Sequence, residues 1–446
     1  MNKSVYIETL GCAKNRVDSE IMLGTLLDHQ FQYAPNPEDA MVIIVNTCGF
    51  LTSAVNESIE RILSLAEYKQ TGACQKLIVA GCMSERFRDS LLKEMPEVDG
   101  LIGTSDYTQI LSCVNHALEE GERRSYFEKH PSYSPKNQLS NRVLSTNKHY
   151  AYLKVAEGCS NMCSFCNIPK LRGYFQSRPI ADIKREFQQL LSSGIKEINL
   201  ISQDSSSYGW DLGKESLLLP LVRELLETGE QDFWLRTFYS YPNRYPLELF
   251  HLMKEDARLV PYVDMPFQHF ADPVLKKMNR KITGAEIEKL VNYALKQKED
   301  IAFRTTFIVG FPDETEEDFR QLLRFVEKGY FQHIGVFTYS HEDNIVSAKY
   351  GDTIPEALKQ ERRSILLEAQ QKISFEKNRS QVGQIQKVLV EGVSNETDLL
   401  LQARNQFQGV DVDGVVLINE GEVSAGQFCD VEIVEAHPYD LVARIV

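Results

Sequence analysis

The chain has 446 residues, of which 43% are hydrophobic and 25% charged, enough for two or three separately cored domains and ordinary for a protein that lives in water. No apolar run approaches the ~18 residues of a membrane span, and Met1-Asn2-Lys3-Ser4 passes straight into a strand-like run, so a cytoplasmic protein without a signal peptide is expected. A net charge of −14 has the wrong sign for gripping phosphate backbones and favours a basic protein partner, while nine cysteines without a secretory signal are expected as thiols or metal ligands rather than disulfides.

Residues 1 to about 120 alternate short Val/Ile/Leu runs (5–10, 41–46, 76–80) with amphipathic stretches (18–30, 54–68), the pattern of a doubly wound parallel sheet. Each of the three runs ends in a cysteine-bearing loop: Leu10-Gly11-Cys12, Asn46-Thr47-Cys48 and Ala80-Gly81-Cys82. Parallel strands present their carboxyl ends along one edge, where such folds place ligands, so Cys12, Cys48 and Cys82 are expected to converge on a metal or cluster site. Cys74, Cys113 and Cys429 show no such placement and read as structural.

A polar, turn-rich stretch within residues 126–149 reads as a linker. Beyond it, six strand-like runs (152–156, 197–203, 234–241, 260–267, 302–311, 333–340) alternate with amphipathic segments, predicting a partial (βα)6 barrel with its site at the carboxyl ends of the strands and an open side for a large substrate. Behind the first run stand Cys159, Cys163 and Cys166 at C-x3-C-x2-C spacing. Three thiolates leave one position open on either a structural zinc ion or an iron–sulfur cube; a zinc site completed by a distant residue and a cluster with a vacancy both fit.

Residues 355–379 read as one long helix with Leu358, Ile365, Leu366, Ala369 and Ile373 at helical spacing. The last stretch, 381–446, alternates apolar and polar residues between glycines and predicts a small antiparallel β-barrel. It holds 3 basic and 11 acidic residues, so it repels RNA.

The C-x3-C-x2-C loop, with Phe165 before its third cysteine, resembles the signature of the radical S-adenosylmethionine (SAM) enzymes. With Cys12, Cys48 and Cys82, the whole chain resembles the methylthiotransferases, supported by Gln176-Ser177-Arg178-Pro179, residues 236–242 and 266–269, and Phe307-Ile308-Val309-Gly310-Phe311-Pro312-Asp313-Glu314-Thr315. The resemblance implies domains at 1–125 (auxiliary cluster), 150–375 (radical SAM barrel and trailing helix) and 376–446 (TRAM-like barrel). It implies a SAM-cleaving [4Fe-4S] cluster on Cys159, Cys163 and Cys166, and an auxiliary [4Fe-4S] cluster on Cys12, Cys48 and Cys82 whose open iron holds sulfide. One SAM would supply methyl and a second the radical. Phe165, Gln203, Arg236 and Phe307 are the candidates for holding SAM, from their places in the cysteine loop or on successive strands.

That family divides between enzymes acting on tRNA adenosine and one acting on an aspartate of the small-subunit ribosomal protein S-twelve. Gly11-Cys12-Ala13-Lys14-Asn15-Arg16 is similar to the ribosomal-protein branch, where a Lys-Asn pair follows the first cysteine, and Cys48-Gly49-Phe50 lacks the arginine-bearing continuation of the tRNA branch. The expected substrate is therefore an aspartate β-carbon of that basic protein, with a cluster reductant and a sulfur donor as further partners and nucleic acid not expected as the direct substrate. A tRNA adenosine methylthiotransferase is the alternative, and a non-enzymatic zinc scaffold the remote one. The chain departs from the family's C-terminal pattern, Gly-Arg followed by Asp-Ala-Pro-Glu-Val-Asp-Gly, at Ala403-Arg404 and at Gln408-Gly409-Val410-Asp411-Val412-Asp413-Gly414.

Overall fold

The computed structural model describes residues 3–119, 122–128, 142–213, 215–229 and 232–446. They fall into two compact units, one of residues 1–145, 156–162 and 166–179, the other of residues 146–155, 163–165 and 180–446. Of the expected linker 126–149, residues 129–141 lie outside the described residues.

The first unit is built on a six-stranded sheet, β1 (Ser4–Thr9), β2 (Gln32–Tyr33), β3 (Val42–Thr47), β4 (Lys76–Gly81), β5 (Gly100–Ile102) and β6 (Arg124–Tyr126). The strand order is β2-β1-β3-β4-β5-β6, and every neighbouring pair runs parallel. All six residues of β3 are buried, as a central strand covered on both faces requires. The helix after β1 spans Ala13–Leu27, five residues earlier than the apolar pattern predicts, because its first turns bury polar side chains: Lys14, Asn15, Asp18, Ser19 and Glu20. Their partners, not their hydropathy, hold them there. Glu20 accepts from Arg142 Nε at 2.7 Å and from Ser145 N at 2.8 Å, fastening the later part of the expected linker.

Chain order continues with β7 (Tyr150–Lys154) in the second unit, and β8 (Ala156–Glu157) and β9 (Gln176–Ser177) as an antiparallel pair of the first. The second unit carries β10 (Glu197–Ile201), β11 (Trp234–Thr237), β12 (Tyr262–Asp264), β13 (Ala302–Val309) and β14 (His333–Thr338). These six parallel strands form two sheets, β11-β10-β7 and β12-β13-β14, with a single parallel bridge, Leu235 to Leu259, at the join. Amphipathic helices return the chain between strands, and Thr283 and Thr315 cap two of them through reciprocal bonds with Glu286 and Asp318.

The long helix is Glu356–Arg379. Its buried stripe is mostly polar, which the apolar spacing did not indicate: Lys359 donates to Tyr339 O, Arg362 to Glu314, and Gln370 and Ser374 to Gln332 O. The helix thus satisfies carbonyls exposed around β14. The C-terminal strands, β15 (Ile385–Val393), β16 (Leu401–Asn405), β17 (Val416–Glu420), β18 (Phe428–Ala436) and β19 (Leu441–Ile445), close in the order β15-β16-β17-β19-β18 around Val388, Val390, Val416, Val431 and Ile433. Pairing is antiparallel except between β17 and β19.

The loop that departs from the family pattern seats on the starts of the parallel strands. Asp411 accepts from Tyr152 at 2.9 Å, Asp413 from Tyr262 at 2.6 Å, and Arg404 pairs with Glu197 at 2.6 Å and Glu391 at 2.6 Å. Two of the acidic residues that make this barrel negative, Glu391 and Asp413, are therefore engaged internally rather than displayed. Among the described residues no helix is long and apolar enough to cross a membrane.

Candidate active site

Cys12 follows β1, Cys48 follows β3 and Cys82 opens the helix after β4, so three adjacent strands deliver them to one edge of the sheet. The backbone there leaves room for something other than side chain. Gly11 has φ +88° and an added Cβ would meet Cys48 Cβ at 2.9 Å; Gly81 has φ +93° and its Cβ would meet Asn46 Oδ1 at 2.3 Å. Only glycine serves at both positions, by conformation and by contact.

Asn15 ties the edge together. Its Nδ2 donates to Leu10 O at 2.9 Å and Thr47 O at 3.0 Å, joining the ends of β1 and β3, and its Oδ1 lies 3.9 Å from Cys82 Sγ. The same Oδ1 accepts from Arg172, which is 2% exposed and also bonds Asp18 at 3.0 Å and Glu157 at 3.0 Å. Burial opposes the Arg172 charge, but Glu157, Cys82, Asp18 and Cys12 hold it protonated. Burial likewise pushes the Cys82 thiol up to about 12 and raises Cys48, each thiol resisting the charge of the others. Cys12, an exposed residue, goes the other way: desolvation of its sulfur raises it, but Lys14, Arg172 and the Asn15 and Lys14 backbone N–H groups outweigh that and lower it. Three mutually repelling thiols beside a buried cation suit a multivalent metal group, which relieves all three at once.

The second cysteine set lies in the loop after β7. In the first unit, Cys159 Sγ accepts from Asn161 Nδ2 and Cys166 Sγ from Ile168 N, both at 3.5 Å. The neck of the loop is closed by β8 and β9, by Cys159 N donating to Gly173 O at 3.1 Å, and by the Glu157–Arg172 pair. In the second unit, Arg280 Nη1 donates to Cys163 Sγ at 3.5 Å, its guanidinium lies 4.0 Å over Tyr241, and Nη2 donates to Pro266 O at 2.5 Å. A donor at each thiol suits thiolates that ligate a metal. Among the described residues no three His, Cys, Asp or Glu side chains stand as a ready site for a single ion.

Residues 4–103 match the model described as uncharacterized protein family UPF0004, residues 153–326 the radical SAM superfamily, and residues 382–446 the TRAM domain. The ribosomal protein uS12 methylthiotransferase RimO of Syntrophotalea carbinolica is 42% identical over 444 residues, covering 100% of this chain and 97% of that one. The same-named protein of Geobacter sulfurreducens is 42% identical with 100% and 99% covered, and that of Citrifermentans bemidjiense 43% identical with 100% and 98% covered. The chain belongs to the uS12 methylthiotransferase family. The fold is also that of more distant radical SAM proteins: the methyltransferase TsrM of Kitasatospora setae superposes with a TM-score of 0.55 at 14% identity, covering 75% of this chain and 73% of that one. The cobalamin-dependent enzyme OxsB gives 0.50 at 11%, covering 82% and 56%.

In this member of the uS12 methylthiotransferases the four expected SAM contacts part company. Phe165 and Gln203 stand half-buried just beyond the carboxyl ends of β7 and β10, with Phe165 packed on Ala271, Val274, Met278, Phe311 and Tyr339. Arg236 stands elsewhere. The third of the four residues of β11, it is fully buried, bonds Glu197 at 2.8 Å and Gln406 O at 2.9 Å, and lies over Tyr262, contacts that tie β11 to β10 and to the C-terminal barrel. Phe307 also stands apart. Along β13 the half-buried residues are Arg304, Thr306 and Ile308, and Phe307 projects to the opposite face, edge-on to Phe331 in the core.

Features at the same mouth that sequence reading passed over include Tyr239 at φ +61° and Gln268 at φ +74°, left-handed residues just past β11 and β12. The Gly310-to-Thr315 motif is a knot at the end of β13, where Glu314 accepts from Gly310 N at 2.6 Å and Phe311 N at 3.1 Å and pairs with Arg362. Asn15, Arg172 and Arg280 were also missed as site residues. The first two had a signal, since Asn15 stands three residues past Cys12 and Arg172-Gly173 closes the segment opened by Glu157-Gly158.

Proposed function

We propose that this chain methylthiolates the β-carbon of an aspartate in ribosomal protein S-twelve, the reading carried by full-length identity of 42–43% to uS12 methylthiotransferases. Cys159, Cys163 and Cys166 ligate the SAM-cleaving [4Fe-4S] cluster, and Cys12, Cys48 and Cys82 the auxiliary one. The division of labour follows residues 1–125, 150–375 and 376–446. The clusters and SAM, when bound, supply the methyl group, the sulfur and the radical that removes hydrogen from carbon.

The protein's share is position and dryness. Arg280 and the backbone N–H of Ile168 hold thiolates by N–H···S bonds, Asn15 locks the auxiliary cysteine edge, and Phe165 and Gln203 border the SAM site at the strand ends. The negative C-terminal barrel, together with a net charge of −14, supports a basic protein as partner. A cytoplasmic setting, an external reductant and a sulfur donor belong to the same reading.

The test is anaerobic reconstitution with iron and sulfide, an iron count, then incubation with SAM, reductant and either S-twelve or tRNA, read by mass spectrometry. About eight irons per chain and a methylthio mass gain on S-twelve alone are expected. A gain on tRNA alone, or none with both clusters present, overturns the reading.

A further inference from the structure

Arg172 belongs to neither cysteine set, yet it touches the frame of both. Its Nη1 binds Asp18 and Glu157, each at 3.0 Å, and its Nη2 binds Asn15, whose side chain also holds the ends of β1 and β3 beside Cys12 and Cys48. Glu157 precedes Gly158-Cys159, and Arg172 follows Cys166 by six residues, so the pair draws the neck of that loop closed next to the auxiliary cysteines. Gly158, at φ +77°, lies so close to the returning chain that a Cβ would meet Tyr174 O at 2.3 Å. A guanidinium this enclosed is costly unless its charge is used.

We propose that Arg172 is a positioning residue with two effects: it anchors the neck of the Cys159–Cys166 loop to the auxiliary cysteine edge, and its buried charge raises the reduction potential of the auxiliary cluster. The second effect rests on the reading that Cys12, Cys48 and Cys82 hold that cluster. Reduction adds an electron to an already anionic group, and a fixed cation in a low-dielectric setting favours the added charge. Asp18 and Glu157, which share Nη1, oppose it and set how much of the cation the cluster feels.

The experiment uses the full chain with Cys159, Cys163 and Cys166 all changed to Ala, reconstituted with iron and sulfide, so that only the auxiliary cluster is titrated, by electron paramagnetic resonance at poised potentials. Asp18→Asn is expected to shift the midpoint upward and Arg172→Met downward, while Arg172→Lys, which keeps the charge without the fork, stays near the parent midpoint but loses iron faster. Should Arg172→Met not retain iron, the upward shift of Asp18→Asn and the near-parent midpoint of Arg172→Lys still decide the matter. Unmoved midpoints in Asp18→Asn and Arg172→Met with iron retained would make Arg172 merely structural and overturn the inference. No iron in the triple-alanine parent would instead overturn the auxiliary-cluster reading, and the inference with it.

Discussion

His269 accepts a hydrogen bond at Nδ1 from Ala271 N at 3.1 Å, so that nitrogen carries no proton in the fold. Burial, with Asp318 and Arg362 acting in opposite directions, lowers its pKa to about 3. A base depressed in the folded state contributes stability that is complete above the unfolded value of ~6.5 and is lost as pH falls from there toward the folded one. From this residue alone stability falls between pH ~6.5 and ~5 by up to ~1.4 kcal/mol per pH unit, while Glu314, 3.8 Å from Nε2 and raised by burial to about 7, acts the opposite way over the same window. His269→Asn, which keeps an acceptor, should leave the Glu314 contribution uncompensated, so that in a thermal-unfolding series stability gains relative to the parent as pH falls. If the two profiles run parallel, His269 is not the group that titrates. At Arg280, replacement by Met should remove the donor to Cys163 and cost ~1.5–3 kcal/mol, the range for a bond to a charged group, with iron lost from the Cys159–Cys166 loop first. Iron counts in a Cys12→Ala background measure this directly.

The residues legible from sequence were those whose chemistry is announced by spacing, above all the six cysteines. Residues that act by reaching across the fold were silent, because nothing local marks Arg280 as the partner of Cys163. For Phe307 a local signal was present and unread: Arg304 and Thr306 mark the half-buried side of β13, and a single step along the strand puts Phe307 on the other.

At the scale of elements, the alternation of strands and helices, the small barrel and the long helix were readable from periodicity, whereas strand order and the polar stripe on Glu356–Arg379 were not, since the partners of that stripe are carbonyls around a distant strand. The same blindness affected the 403–414 segment, marked only by its departure from the family pattern, which seats Arg404, Asp411 and Asp413 on the parallel strands. Arg404 joins Glu197 and Glu391 with almost no exposure on any of the three. Breaking such a pair leaves the largely buried Glu391 carboxylate without its arginine and Glu197 with Arg236 alone, so Arg404→Met should cost ~3–5 kcal/mol. Adding Glu391→Gln to that variant, which leaves the Glu197–Arg236 pair whole, should restore part of the loss. Denaturant unfolding of both variants measures the coupling, and simple additivity would mean that the ion pair is not the fastening.

Across the whole molecule, the two cysteine sets should fail differently. Cys163→Ala should abolish SAM cleavage, whereas Cys48→Ala should leave reductive cleavage measurable and stop sulfur insertion; chromatography of the cleaved nucleoside alongside product mass separates these. A Cys48→Ala enzyme that still methylthiolates would remove Cys12, Cys48 and Cys82 from the chemistry. Because the net charge is −14, association with a basic partner should slow as ionic strength rises while dissociation changes little.

The latch between the C-terminal barrel and the strand starts bears on chimaeras. Exchanging that barrel for one from a tRNA-directed relative looks like the natural way to redirect such an enzyme, since the cut at Gly383 falls between elements. A grafted barrel stays seated only if it brings the carboxylates and arginine that Tyr152, Tyr262, Glu197 and Arg304 receive here. Both sides of that joint have to be matched in any graft, so exchange of substrate specificity in this architecture is inheritance of a seam, not of a module.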